Sequence, residues 1–348
     1  MSKKEPAQSA SRRSIPGPWP QGQTEAVPNC PVCGNSERDL LYSDLADRVF
    51  FSAPGLWNSW RCRRCESAYL DPRPTEDSIE LAYRRYYTHH EQPSASVVPS
   101  LRTKFGNGYR NERYGASLTP ASRLGKYIGR VPPIGGGIDS QYRYLPRHPG
   151  RVLDIGAGGG DWLELARSCG WRVAAVEPDP EARERSQKKG IDARRSPEDW
   201  MASADQFDAI TINHAIEHVH DPHALLSAAF ALLKSGGQLF VETPNIDALG
   251  HQIFGRDWVA LDPPRHLILF NRKSLQESVK SAGFHRIRFR HRPSPLPETY
   301  GESERIAAGL DPHNPPDAPK ALAPGFWKLR AMLQPSRSEY LTLTAMKE

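Results

Sequence analysis

The stretch Arg151 to Gly160, RVLDIGAGGG, constrains this chain more than any other. Apolar residues flank Asp154 and read as a short buried strand, and the run Gly156, Ala157, Gly158, Gly159, Gly160 after it is a loop that lets a ligand approach bare backbone. Trp162 to Arg167 then opens a helix, with Trp162, Leu163 and Ala166 at core spacing. Such a unit aims backbone N–H groups and a helix N-terminus at a polar ligand. Glycine loops also occur without ligands. The second signal is Glu177, which ends a strand over 172–176 about twenty residues after the first glycine, where a carboxylate can accept from both hydroxyls of a ribose. A nucleotide cofactor is the implied ligand.

The order LDIGAGGG, VAAVEPD, FDAITINHAIEHVHDP and LLKSGGQLFVETPN resembles the class I S-adenosylmethionine-dependent methyltransferases, whose first loop is a G-x-G-x-G with an acidic residue just before it. Dinucleotide dehydrogenases usually show G-x-G-x-x-G and lack the remaining blocks. The resemblance runs from about Gly150 to Arg292 and implies an α/β fold, a Rossmann-like seven-stranded methyltransferase sheet, with S-adenosylmethionine as cofactor. Strands are expected at 152–155, 172–176, 191–194, 207–212, 238–242, 284–290 and 340–347, with helices between most of them, the pattern of a parallel sheet covered on both faces. The helix after the fourth strand should be capped by Asp221, begin at Pro222 and end at Gly236 and Gly237. In the resembling fold the last strand runs antiparallel beside the fifth. That makes 293–348 an elaborated connection, with a helix around Phe326 to Met332, followed by the final strand.

Ligands of such sheets bind at the carboxyl ends of the strands. The expected cofactor set is Asp154, Gly156 and Gly158 around the methionine part, Glu177 on the ribose and Asn213 at the end of the fourth strand, with residues 196–198 near adenine; Asp179 only tops the second helix. Chemistry is expected from Asn213-His214-Ala-Ile-Glu217-His218-Val-His220, which gathers three imidazoles and a carboxylate where a methyl group would sit. Transfer from a sulfonium needs a nucleophile held in line and, for a hydroxyl or carbon acid, a base. His218 is the first choice of base and Glu217 its orienting partner, a pair that resembles the Glu-His of sugar C-methyltransferases and quinone-type O-methyltransferases; both residues can instead merely shape a pocket. His214, Glu217 and His218 also spell H-x-x-E-H, similar to an E-x-x-E-H that binds a divalent metal in some relatives, with His in place of the first Glu.

Upstream, Cys30-x-x-Cys33 and Cys62-x-x-Cys65 suit tetrahedral Zn²⁺, each pair supplying two thiolates from a tight knuckle. Disulfides or unrelated thiols are the other readings. Four cysteines leave no open coordination position, so the zinc is structural, and the loop 37–60 is too short to bury a core without it. A nucleic-acid-binding ribbon is the rival, on the strength of Arg61, Arg63 and Arg64. The run DPRPTEDSIELAYRRYY then reads as a turn and a helix capped near Thr75. A ribbon, PRPT, a Tyr-rich helix and a methyltransferase core together resemble the bacterial group that includes sugar C-methyltransferases, in which the tyrosine segment borders the substrate. Tyr83 and Tyr87, which share a helical face with Tyr86 near by, are therefore substrate candidates, although packing onto the core is an equal reading. His89 and His90 carry less weight.

After the fifth strand, Asn245 at the strand end, with Arg265 and His266 in a following loop, forms an expected substrate wall, Arg265 a partner for a phosphate or carboxylate or else a salt-bridged loop residue. The domain reading is a disordered leader over 1–28, a small N-terminal zinc-ribbon domain over 29–70, a helical or irregular cover over 71–150 with a helix at 122–129 and a flexible link at 134–137, the S-adenosylmethionine-binding core over 151–292, and the elaborated end. The leader lacks the apolar block of a signal peptide, and no stretch of about 18 apolar residues follows, so a cytoplasmic protein without a membrane partner is expected. A formal charge of +6 over 348 residues is mild and argues against nucleic acid. The favoured activity is methyl transfer to oxygen or carbon of a small-molecule acceptor, a sugar or secondary-metabolite precursor. The alternatives are an RNA or protein methyltransferase that docks through the ribbon, and a non-catalytic cofactor-binding protein.

Overall fold

The computed structural model describes residues 17–83, 101–130, 132–201, 206–290, 292, 296–313 and 335–348. Its strands are β1 (Thr24–Glu25), β2 (Arg38–Leu45), β3 (Trp57–Cys62), β4 (Ala68–Leu70), β5 (Arg73–Pro74), β6 (Arg151–Ile155), β7 (Arg172–Val176), β8 (Asp192–Arg194), β9 (Phe207–Asn213), β10 (Leu233–Pro244), β11 (Ile268–Leu269), β12 (His285–Phe289) and β13 (Tyr340–Met346). Its α-helices are α1 (Leu101–Tyr114), α2 (Pro132–Gln141), α3 (Asp161–Ser168), α4 (Pro180–Lys188), α5 (Glu198–Met201), α6 (Pro222–Leu232), α7 (Leu249–Phe254), α8 (Arg272–Ser281) and α9 (Leu296–Ala307).

The main sheet runs in the order β12-β13-β10-β9-β6-β7-β8. β13 is antiparallel to both β10 and β12, while β10, β9, β6, β7 and β8 are mutually parallel. All seven expected strands are present, and the last lies inserted beside the fifth as the resemblance implies. Near-continuous apolar runs such as Val152, Leu153 and Ile155 follow from burial on both faces. The helix after β9 is capped by Asp221, whose side chain accepts from the amides of His223 and Ala224, with Pro222 in the first turn. Asp179 caps α4 by accepting from Ala182 N.

Several local readings change. The glycine pair 236–237 does not end α6: the helix stops at Leu232 and the chain passes straight into β10, where Gly236 (φ +76°) and Gly237 lie in a shift of register between Leu233 and Gln238. The predicted helix after Thr75 is a 3₁₀ turn, Ile79–Tyr83, because Arg73–Pro74 is drawn into a ladder with Thr24–Glu25. The same ladder, together with Trp19 packed edge-on against Trp57 and Val27 N donating to Asp71, makes the described part of the leader, from 17, a piece of the ribbon. The expected link at 134–137 lies inside α2, and the helix expected at 122–129 is a 3₁₀ segment, Arg123–Arg130. Tyr86, Tyr87, His89, His90 and the helix around Phe326 to Met332 fall outside the described residues.

The ribbon is not a separate body. Its sheet runs β11-β4-β3-β2, so Ile268–Leu269 from beyond the core's fifth strand completes it. One apolar cluster passes without a break from Leu153, Ile210 and Val241 under the main sheet to Trp57, Tyr69, Trp258 and Leu267 at the ribbon. The opposite face of the sheet packs against Tyr114 and Tyr142, stacked 4.4 Å apart. Among the described residues, no helix is long and apolar enough to cross a membrane. Replacing the cap with Asp221→Ala should cost about 1 kcal/mol in urea unfolding while leaving the folded circular-dichroism spectrum unchanged.

Candidate functional site

The carboxyl edge of the main sheet collects charge. Asp154, at the end of β6, is buried; Thr211 Oγ1 donates to it at 2.7 Å and Arg143 pairs with it. Burial raises the Asp154 pKa and Arg143 pulls against that rise. Arg143 in turn lies 3.9 Å over the Trp162 ring. The second oxygen of Asp154 is buried with no hydrogen-bond partner among the described residues. Gly156 (φ +79°) has no room for a side chain, since a Cβ there would stand 2.7 Å from that of Ala215. The positive φ and the packing of Ala215 both require glycine there. Gly158 N donates to Glu177 at 2.7 Å and Asp179 N donates to the other Glu177 oxygen at 2.9 Å. Burial raises the Glu177 pKa and these two amides oppose it. Asn213 ends β9 half-buried, beside Glu242 in the register of β10.

His214 follows in the left-handed region (φ +50°), where its amide donates to Glu242 O at 2.8 Å. The strained turn points its ring between two carboxylates, with Nδ1 3.3 Å from Glu217 and Nε2 3.4 Å from Glu242. Thr243 donates to Glu217 at 2.9 Å, and Thr342 to Glu242 at 2.7 Å. Arg292 stands 3.2 Å from Glu242. Burial pulls the His214 pKa down, but the two carboxylates prevail and lift it to about 9; Glu217 falls to about 2, its own burial being outweighed first by the bond to His214. Both shifts favour a protonated His214 ring paired with ionised Glu217.

His218 is the opposite case. Its Nδ1 lies 3.0 Å from the Arg265 carbonyl and 2.9 Å from Tyr83 OH. A carbonyl oxygen only accepts, so Nδ1 carries the proton and the lone pair is on Nε2, an assignment made from the hydrogen-bond partners. Burial, then the neighbouring His266, pushes its pKa down to about 4, leaving it neutral and able to accept. His266 is fixed in the same sense by Ala260 O at 2.8 Å, and its ring centroid is 4.8 Å from that of His218. Glu217, His218 and His266 each offer a ligand atom, all within 4.8 Å of one another, close enough to share a cation.

Two expected substrate contacts belong to the fold instead. Arg265 is fully buried and its guanidinium is held by Asp47 (2.6 Å), Asp262 (2.5 Å) and Ala82 O (2.8 Å), which leaves it unsuited to a substrate anion. Asn245 is fully buried as well; its Nδ2 donates to Ser336 O and Ser338 O, and its oxygen accepts from Asp247 N, so it latches the approach to β13. Tyr83 and His266 do meet His218. Tyr87 is outside the described residues. Glu242, Arg143 and Arg292 were not singled out from the sequence; an acid inside the apolar run LFVETP was the one available signal, for Glu242.

In the ribbon, Cys30 and Cys65 sulfurs lie 3.6 Å apart and those of Cys33 and Cys62 3.5 Å apart, all as free thiols. A tetrahedron with metal–sulfur bonds of about 2.3 Å has sulfur–sulfur edges of about 3.8 Å, whereas a disulfide would bring them to about 2.05 Å. The four thiols therefore fit a zinc ribbon.

The model of a family described as a methyltransferase domain matches residues 138–287. A ubiquinone biosynthesis O-methyltransferase of Xanthomonas axonopodis pv. citri is 40% identical over 120 residues, 32% of this chain and 50% of that protein. The protein of the same name in Xylella fastidiosa is 40% identical over 116 residues, 31% of this chain and 47% of that one. The chain thus spans about half the length of the curated relatives it matches. Among solved structures, a SAM dependent methyltransferase from Archaeoglobus fulgidus aligns with a TM-score of 0.43 at 18% identity, over 69% of this chain and 97% of that one.

Because His214 holds its proton more tightly folded than unfolded, its stabilising contribution is whole below the unfolded value of about 6.5 and fades as pH rises through about 9. The melting temperature of the native chain should therefore exceed that of His214→Gln most at about pH 6 and converge on it by about pH 10; a gap constant across that range would mean a neutral ring.

Proposed function

We propose that this chain, whose residues 138–287 match a methyltransferase domain, is a class I S-adenosylmethionine-dependent methyltransferase that transfers a methyl group to a hydroxyl of a small molecule with His218 as base. The observation that carries the reading is His218 Nδ1 set 3.0 Å from the Arg265 carbonyl and 2.9 Å from Tyr83 OH, from which we assign the proton to Nδ1 and the lone pair to Nε2 of a neutral ring. The names of the curated relatives favour oxygen over carbon as the atom methylated. A sugar or a secondary-metabolite precursor is the acceptor class we assign.

Asp154, Gly156, Gly158, Glu177 and Asn213 would hold the cofactor, and the buried Asp154 oxygen with no hydrogen-bond partner among the described residues fits a ligand carrying an ammonium group. Bound there, S-adenosylmethionine would supply an electrophilic methyl on a sulfonium, with a neutral thioether as the leaving group for an acceptor oxygen. Nε2 of His218 takes the acceptor's proton. The imidazolium so formed is stabilised by ionised Glu217, which His214 and Thr243 keep in place. Arg61 and Arg63 are paired with Asp247 and Asp39, which weighs against the ribbon as a nucleic-acid platform.

A second reading rests on the shared geometry of His218 and His266. Both rings have Nδ1 beside a backbone carbonyl, and each offers a ligand atom within 4.8 Å of Glu217, so a divalent cation held there could polarise the acceptor hydroxyl instead. This set differs from H-x-x-E-H in using His266 and leaving out the cationic His214. We also assign Zn²⁺ to Cys30, Cys33, Cys62 and Cys65, as a structural ion.

Turnover is measured as S-adenosylhomocysteine release with a panel of nucleotide-linked sugars and phenolic metabolites. His218→Ala should lower it by about a hundredfold or more while cofactor affinity by calorimetry stays within about twofold. Activity abolished by a chelator and restored by a divalent cation would favour the second reading, and equal loss of turnover and cofactor affinity would reduce His218 to a structural residue. Metal analysis of freshly purified protein should find one zinc per chain, and Cys62→Ser should lower both the zinc content and the melting temperature; absence of stoichiometric zinc would sink that assignment.

A further inference from the structure

Arg265 has two separate attachments. Its carbonyl takes the His218 Nδ1 proton, and its guanidinium is gripped by Asp47 in the loop between β2 and β3 of the ribbon, by Asp262 in its own loop and by Ala82 O. Asp47 is itself fully buried and organises the ribbon loop, accepting from the amides of Val49, Phe50, Ser52 and Ala53 at 2.9 to 3.2 Å. Phe50 from this loop lies against the guanidinium, 4.6 Å from ring centroid to Cζ. Ala82 immediately precedes Tyr83, whose hydroxyl meets the same His218 nitrogen. Asp262 O accepts from His266 N, so the loop that carries the second imidazole is fastened by the same group.

We infer that Arg265 is a positioning residue that sets the His218 proton on Nδ1, and that the ribbon loop holding it through Asp47 is part of the catalytic apparatus, not a docking module. This rests on His218 acting as base. A buried guanidinium is fixed by its geometry: the planar fork must meet Asp47, Asp262 and a carbonyl together, and any rotation leaves a buried donor unmet. The carbonyl of the same residue is thereby held at bonding distance from Nδ1. If it drifts away, the proton is no longer held there and Nε2 loses its standing lone pair, the feature the reaction needs.

Asp47→Asn tests the coupling without altering Arg265 or His218. Each Asp47 oxygen receives two amide donors and a guanidinium nitrogen, so the new NH₂ group opposes donors whichever way it is turned. Nitrogen-15 histidine labelling reads the tautomer directly, the His218 signals being those lost in His218→Gln. The expected result is a single Nδ1–H tautomer in the native chain and a mixture in Asp47→Asn, with kcat at least tenfold lower, KM changed by less than threefold and cofactor affinity by calorimetry unaltered. Arg265→Lys, which keeps the carbonyl but loses the fork, should give the same spectrum and covers the case in which Asp47→Asn does not fold. Either variant folded, with His218 still wholly Nδ1–H and kcat at the native level, overturns the inference. Failure of the base reading is separate, since it would appear as full turnover in His218→Ala whatever the tautomer in Asp47→Asn.

Discussion

A carboxylate taken out of water must be met by a cation or by donor hydrogens, and the active edge of this protein is arranged around that requirement. Asp154, Glu177, Glu217 and Glu242 are all buried at the carboxyl ends of neighbouring strands or in the turns that follow them. Asp154 is met by Arg143 and Thr211, Glu177 by two amides, Glu242 by Arg292, Thr342 and His214, and Glu217 by Thr243 and His214. Each side chain is thus held by its counter-charge or its donors as much as by packing. The left-handed backbone at His214 lets one imidazolium serve two acids.

That arrangement separates two histidines four residues apart into opposite protonation states. His214 faces carboxylates and keeps a proton; His218 is buried beside another imidazole and gives its proton up. Residue type alone gives no hint of the difference. The motif H-x-x-E-H treats the two as equivalent, and only the direction each ring takes from the chain, one toward Glu242 and the other toward the Arg265 carbonyl, gives them opposite surroundings.

What was legible beforehand and what was not divides along the same line. The seven strands, the Asp221 cap and the glycine loop follow from local patterns of apolar residues and punctuation, and the structure has them. The sequence left Arg265 open between a substrate contact and a salt bridge, and gave no sign of the Asn245 latch, because their partners are remote: Asp47 lies far upstream in the ribbon, and Ser336 and Ser338 far downstream. A loop arginine looks the same in sequence whether it reaches for substrate or for a buried aspartate. The ribbon was read as a separate unit for a related reason, since the strand that completes its sheet, Ile268–Leu269, is two residues long and carries no alternation to recognise.

The position of β13 bears on how the chain reaches this state. It lies between β10 and β12, and the bond from Thr342 to Glu242 joins residues 100 apart in sequence, across α9 and a long connection. Loop closure over such a span is paid in chain entropy before any contact repays it, and pairings of this kind slow folding. Until β13 docks, β10 presents an open apolar edge and Glu242 lacks its threonine. Closing the sheet that carries the site therefore depends on a long-range pairing, and any chain in which β13 is undocked leaves an unpaired edge of β10 open to self-association.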